Sequence, residues 1–295
     1  MKRKQIALKY ILFSVLRRVL KLFVKEKLAG IPGFMKIWKF LLVSFVSKLI
    51  DTPGGKVYFD SYLAGDLCCS SIFLDSYEPF TTEIFKRVVK KGNIVVDLGA
   101  NIGYYSLLAA RIVGMEGKVY AFEPEPRNHG LLLKNIELNK YSNIIPVQKA
   151  VSNKSGATKL FISTSGGHSI HELSDGRDFV EVETVTLDEF LKEEGHHVDV
   201  IKIDVEGAEI DAIEGMKQVI KENRNLKMFV EFWPYAIRKA GKSPEEFFSK
   251  LLNHGFVIYG INEKERELRK ISNPSEALEM CKKRPSVNLL VRKCN

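Results

Sequence analysis

Residues 95–106 read VVDLGANIGYYS. An apolar run ends in an acid, Asp97. Gly99 and Gly103 follow, four positions apart, and a helix-like run, YYSLLAARIVG (104–114), comes next. A short buried strand, a glycine turn and a helix start are the parts of an α/β unit, and glycines at such a turn let another group lie against the backbone. The spacing is D-x-G-x-x-x-G, not the G-x-G-x-x-G of a dinucleotide fold. A pyrophosphate needs backbone N–H groups at a helix N-terminus, and an acid directly before the turn is poor company for it. Asp97 suits an ammonium instead, directly or through water; taken alone it is also an ordinary turn or cap acid. The next strand, KVYAFEP (118–124), ends in Glu123, and an acid there is suited to hydrogen-bonding both hydroxyls of a ribose. A ligand with a ribose, a cationic amino-acid end and no phosphates is S-adenosylmethionine.

Outward from this stretch the pattern alternates. Helices are predicted over 80–91, 104–114, 126–139, 208–223 and 243–255, with Gly114 as a stop and Ser243 as a cap followed by Pro244. Strands are predicted over 93–99, 118–124, 143–152, 198–207, 226–234, 256–262 and 286–293. Alternating strands and helices imply a doubly wound, mostly parallel sheet with helices on both faces. Ligands in such sheets bind outside the carboxyl ends of the strands, at the topological switch point. Asp97, Glu123, Asp204 and Glu231 all sit at predicted strand ends. Four carboxylates at one edge suit a ligand with positive charge or several hydroxyls.

The chain has 295 residues and is 45% hydrophobic, enough for one large domain with an appendage. Residues 1–50 carry twelve Lys and Arg against the single acid Glu26, which is +11. The whole chain is +9, so the other 245 residues sum to −2. The predicted organisation is a basic amphipathic helical segment (1–50), a connecting segment (51–76) and an α/β domain (77–293). The N-terminal segment reads as two helices, 7–28 and 35–50, broken by GIPG (30–33). Its uncharged apolar stretches are about half of the roughly 20 residues that a membrane span needs, and no signal-peptide pattern is present. Three readings stay open for it: a hairpin lying on an anionic membrane surface, a helical cap packed on the main domain, or a nucleic-acid arm, for which its apolar content is high. Cysteines 68, 69, 281 and 294 form no metal or disulfide pattern. The expected location is cytoplasmic, possibly peripheral on the membrane.

VVDLGANIGYYSLLAA, YAFEPEP, AVSNKSG, TLDEFL and VIKIDVEGAEIDAIEG together resemble the FkbM family of S-adenosylmethionine-dependent methyltransferases, over roughly residues 75–262. The resemblance implies a Rossmann-like class I methyltransferase that methylates a hydroxyl oxygen, of a sugar, glycan or other small molecule, and the basic N-terminal segment adds a lipid-linked glycan as a sharper version. It also implies that Asp97, Gly99, Asn101 and Gly103 form the cofactor loop and that Glu123 holds the ribose. Ala150 and Val151 would border the adenine, and Glu78, in YEP, would cover the methionine end.

Methyl transfer to an alcohol is an in-line displacement, so alignment matters and a base or a metal helps. KIDVEGAE (202–209) supplies Asp204 and Glu206 as candidate catalytic acids, with Glu209 behind them and Lys202 as a structural partner. TSGGHSIHEL (164–173) supplies His168 as a candidate base and His171 as a weaker one. Glu231 and Trp233 are candidate substrate contacts, the indole as a platform for a sugar face or else ordinary core. Asp204, Glu206 and Glu231 have the oxygen donors for Mg²⁺, but no aspartate-rich cluster demands a metal and none is predicted. An RNA methyltransferase is disfavoured by the −2 body and the lack of an N-P-P-Y-type motif, so nucleic acid is not an expected partner. A cofactor-binding scaffold without turnover stays open as the non-enzymatic alternative.

Overall fold

The computed structural model of the chain describes residues 49–59, 72, 77–162, 168–173 and 178–293. In chain order the elements are β1 (Leu49–Thr52), β2 (Gly55–Tyr58), α1 (Pro79–Val88), β3 (Ile94–Leu98), α2 (Tyr104–Val113), β4 (Lys118–Phe122) and α3 (Pro126–Asn139). There follow β5 (Ile144–Val147), β6 (Ala150–Val151), β7 (Gly156–Phe161), β8 (Phe179–Val185), α4 (Leu187–Phe190), β9 (Val200–Ile203), α5 (Glu209–Glu214) and α6 (Lys217–Glu222). The last are β10 (Lys227–Phe232), α7 (Pro234–Lys239), α8 (Pro244–Asn253), β11 (Phe256–Asn262), β12 (Glu267–Ile271), α9 (Pro274–Met280) and β13 (Val287–Lys293).

Eight strands form the central sheet in the order β12-β11-β13-β10-β9-β3-β4-β5. Strands β5, β4, β3, β9 and β10 are mutually parallel. Strand β13 is antiparallel to β10 and β11, and β12 is antiparallel to β11. The chain order reverses at β3, flanked by β4 and β9, which makes its carboxyl end the switch point. This is the expected Rossmann-like, doubly wound, mostly parallel sheet. The described residues fall into two compact units: one holds 49–52, 56–59, 72 and 77, and the other holds 53–55 and the whole central sheet.

Period-two alternation sorts the strand residues between two faces. Val96, Leu98, Ile201, Ile203, Met228 and Val230 join one core with α5, α6 and α8 through Ile210, Ile213, Val219, Phe247 and Leu251. The opposite face meets α1 and α2: the Phe85 ring lies 5.2 Å from Phe229 and 5.0 Å from Tyr105. Asp97 and Lys202, one cross-strand pair of β3 and β9, belong to that second face. Local sequence explains the helix starts. Ser243 accepts from the Glu246 N–H at 3.0 Å as predicted, and Asn273 caps α9 in the same way. The first turn of α1 is held differently, with both Glu263 oxygens accepting, at 2.8 Å each, from the N–H groups of Phe80 and Thr81.

Several predicted elements are corrected. The helix over 208–223 is two helices, interrupted at Gly215 and Met216, and Gly215 lies so close to the loop after β6 that a Cβ on it would stand 2.0 Å from the Ser152 carbonyl oxygen. The strand over 143–152 splits into β5, in the central sheet, and β6, in a three-stranded sheet of order β6-β8-β7. Strands β7, β8 and β12 and helices α4, α7 and α9 were not predicted. The strand over 198–207 ends at Ile203, after which Glu206 (φ 53°) and Gly207 (φ 99°) turn the chain. The helical segment 1–50 lies outside the described residues except for Leu49 and Ile50, which are strand. Its expected membrane contact, and most of the connecting segment, therefore also fall outside them. Among the described residues no helix is long and apolar enough to cross a membrane.

Gly215→Ala is expected to destabilise the fold by about 1–3 kcal/mol through overpacking against Ser152, read as a lower midpoint in urea denaturation.

Candidate active site

The site grows from the alternation just described. Lys202 would be unremarkable on a surface, but β9 is a central strand and leaves the residue only 2% exposed. A buried ammonium needs acids around it. Its Nζ donates to Asp204 Oδ2 at 2.6 Å and lies 4.8 Å from the centre of the Tyr105 ring. Burial alone would lower its pKa; the charges of Asp204, Glu78 and Asp97 more than offset this and hold it above the usual lysine range. Asp97, also buried, accepts from the Ser106 hydroxyl at 2.6 Å. Its pKa is raised by burial, with Lys202 and Ser106 working against the rise. The cation expected near Asp97 is thus, in part, one that the chain itself supplies.

Glu78 caps α1 in the left-handed region, at φ 40° and ψ 56°. Its carboxylate accepts from the Tyr105 hydroxyl and from the Asn288 amide nitrogen, both at 2.6 Å. Six described non-glycine residues have positive φ, and three of them, Glu78, Asn101 and Glu206, are candidate site residues. Such conformations cost of order 1–3 kcal/mol each and tend to gather at functional sites.

The loop after β3 carries Gly99 (φ 82°), Asn101 (φ 50°) and Gly103 (φ 99°). A Cβ on Gly99 would stand 1.9 Å from the Asp204 carbonyl oxygen, so this glycine is required by the approach of two chain segments as well as by its φ. Glu123, buried just past β4, accepts from the Asn101 N–H at 2.8 Å on one oxygen and from the Glu125 N–H at 2.9 Å on the other. Each oxygen keeps further acceptor capacity, which fits a pair of hydroxyl donors. Burial raises its pKa to about 8 against those two hydrogen bonds. Ala150 and Val151 follow β5 as expected and form β6; both side chains are buried, Val151 in the main core and Ala150 with Leu160 and Val182.

At the ends of β9 and β10, Asp204, Glu206 and Glu231 bring one carboxylate oxygen each within 4.8 Å of one another. Two like charges at that separation repel by roughly 3.5 kcal/mol at an effective dielectric of about 20. Glu231 takes the Ser286 hydroxyl on Oε1 at 2.7 Å, while its Oε2 is buried with no hydrogen-bond partner. Burial, then the charges of Asp204 and Glu206, push its pKa well above the carboxylate range. Glu209, fully buried, accepts from the Gly207 N–H at 3.0 Å, and burial raises its pKa to about 7.

The segment with His168 is tied to this cluster. Ser169, next to it, is buried and donates its hydroxyl to the Glu206 carbonyl at 2.6 Å. His171 is engaged elsewhere, 2.8 Å from Asp211, which also takes Lys242 at 2.5 Å. His196 is largely enclosed between Glu222 and the Asp188 carbonyl. Trp233 starts α7, its ring 5.9 Å from that of Tyr235, and lines a surface hollow of about 510 Å³ with Tyr235, Arg238 and Arg284. The structure therefore gathers Glu78, Asp97, Asp204, Glu206 and Glu231 around Lys202 and the strand ends. Tyr105, Ser106, Ser286 and Asn288 were missed. A polar residue inside an apolar strand was the available signal for Asn288, in VNLLV.

A sheet of this order, with a glycine turn after β3 and acids closing β3 and β4, is the frame of a Rossmann-like class I methyltransferase. The FkbM methyltransferase domain matches residues 97–258, more than half of the chain, and the chain belongs to that family. It is similar to the hexuronic acid methyltransferase AglP of Haloferax volcanii, 27% identical over 133 residues that cover 45% of this chain and 53% of that protein. The chain thus spans about half the length of that relative. Methyltransferase sdnD of Sordaria araneosa is 30% identical over 179 residues, covering 49% of this chain and 68% of that one. Among solved structures, the methyltransferase FkbM from Methylobacillus flagellatus covers 79% of this chain and 55% of its own, with a TM-score of 0.43 and 15% identity.

Removing the buried cation by Lys202→Met is expected to cost about 3–5 kcal/mol in urea denaturation, because the acids around it are left uncompensated. Adding Asp204→Asn should recover part of the loss. The Glu123 pKa lies above its ordinary 4.5, so its contribution is full below that pH and is lost as pH rises toward about 8. Wild-type stability should accordingly fall by on the order of a few kcal/mol across that window. Glu123→Gln should flatten the fall, and equal slopes for the two proteins would contradict the assignment.

Proposed function

We propose that the chain is an S-adenosylmethionine-dependent O-methyltransferase acting on a hydroxyl of a sugar or glycan. The observation that carries this reading is the seating of Glu123: a buried carboxylate at the end of β4, with one backbone N–H on each oxygen and acceptor capacity left for two hydroxyls. The surrounding excess of acids over the one buried ammonium favours a cationic ligand over a phosphorylated one.

In this reading Glu123 holds the ribose, the 99–103 loop lies along the cofactor, and Asp97 and Glu78 face its amino-acid end. The cofactor supplies an electrophilic methyl group on a sulfonium. Everything else falls to the chain's own residues. Lys202 keeps Asp204 oriented at 2.6 Å. Glu206 is the carboxylate offered to the acceptor's hydroxyl proton, and His168, beside the serine that binds the Glu206 carbonyl, is the alternative base. Trp233 with Tyr235 offers an aromatic platform for a sugar face. AglP is named for a hexuronic acid, which makes acidic sugars the first acceptors to try.

The test is calorimetric titration of S-adenosylmethionine into wild type, Asp97→Ala and Glu123→Ala, each checked for folding. Transfer of labelled methyl to uronic acids and to neutral glycans is measured alongside. Micromolar binding by wild type, weakened at least tenfold in Glu123→Ala, is expected. Folded wild type that binds no cofactor would refute the reading, and binding without turnover on any acceptor would favour the scaffold alternative.

A further inference from the structure

Asp204, Glu206 and Glu231 offer three carboxylate oxygens within 4.8 Å of one another, from two adjacent strand ends. Acids alone do not make a site, but two further observations bear on this one. Glu231 Oε2 is buried without a hydrogen-bond partner, since Ser286 reaches only Oε1. Asn288 stands directly opposite Glu231 in the β10–β13 register, on the same face of the sheet. It is 8% exposed, and its Oδ1 is likewise buried without a donor. The orientation of that amide is set, because only its nitrogen can donate to the Glu78 carboxylate. Two unpaired oxygens therefore lie on one sheet face, on residues paired across β10 and β13, where negative charge already accumulates, and Lys202 donates to Asp204.

The geometry points to a binding site for one hard divalent cation, of the Mg²⁺, Mn²⁺ or Ca²⁺ class, held by Asp204, Glu206 and Glu231 with Asn288 Oδ1 beside them. The donors are all oxygen, the set that such ions prefer. Opposite ligands around a Ca²⁺ ion lie about 4.6–5.2 Å apart, so oxygens within 4.8 Å of one another can share one ion, and a smaller ion draws them closer. Binding does not depend on the methyltransferase reading. Only its use does: an ion there would orient the acceptor oxygen and make its hydroxyl more acidic.

Mn²⁺ is titrated into the full chain, free of S-adenosylmethionine, and the unbound ion is followed by electron paramagnetic resonance. One ion per chain is expected, with affinity reduced at least tenfold in Glu231→Gln and unchanged in Glu116→Gln, an exposed acid just before β4, at the edge of the sheet opposite the cluster. Asp204→Asn serves as the second variant should Glu231→Gln fail to fold. No saturable Mn²⁺ binding by wild type, or equal affinity in Glu231→Gln, would overturn the assignment. So would displacement of bound Mn²⁺ by S-adenosylmethionine, which would give these oxygens to the cofactor's own cationic end. Cofactor binding that survives in Glu231→Gln while Mn²⁺ binding is lost would separate the ion site from the cofactor site.

Discussion

The ammonium of Lys202 lies beneath the carboxyl edge of the sheet, 2.6 Å from Asp204 and 4.8 Å from the centre of the Tyr105 ring. Its position follows from register, since β9 sits between β3 and β10 with Lys202 level with Asp97 on one side and Phe229 on the other. No water shell is available there, so the charge is balanced by carboxylates or not at all. Asp97, Asp204 and Glu78 supply the balance, and each arrives from a different element. Helix α2 contributes Tyr105 and Ser106 to the same group, which ties the helix to the sheet through polar contacts as well as through the Phe85 packing.

Around this centre the backbone is held in conformations that local preference disfavours. Glu78, Asn101 and Glu206 are left-handed without being glycine, and each is restrained by contacts that a regular element would not make. Glu78 is held by Tyr105 and Asn288, Asn101 by Glu123, and the Glu206 carbonyl by Ser169. The result is an edge that presents more acceptors than donors. That imbalance is what the cofactor reading and the cation site each draw on, at different strand ends.

Much of the frame was legible in the sequence because its signals are short-range. Ser243 with Pro244, Pro126 and Gly114 mark helix ends through contacts no more than a few residues long. Apolar runs of strand length located β3, β4, β9 and β10 to within a few residues. What escaped reading depends on remote neighbours. Residue 215 has no room for a side chain because Ser152 comes up against it, and β8 pairs with β6 and β7 on its two sides. A strand over 198–207 would put 202, 204 and 206 on one face; the strand ends at Ile203, and Asp204 and Glu206 meet through a turn instead.

By itself the sequence determined the alternation of strands and helices, the acids at the strand ends and the glycine loop between β3 and α2, since period, capping and turn chemistry act over a few residues. Only the tertiary structure decided what those acids face. The eight-strand order set Glu231 against Asn288, buried Lys202 among three carboxylates and brought Ser169 to the Glu206 turn. Burial and pairing between residues tens to hundreds of positions apart are properties of strand order and register. Those follow from the packing of the whole sheet, and no local pattern encodes them.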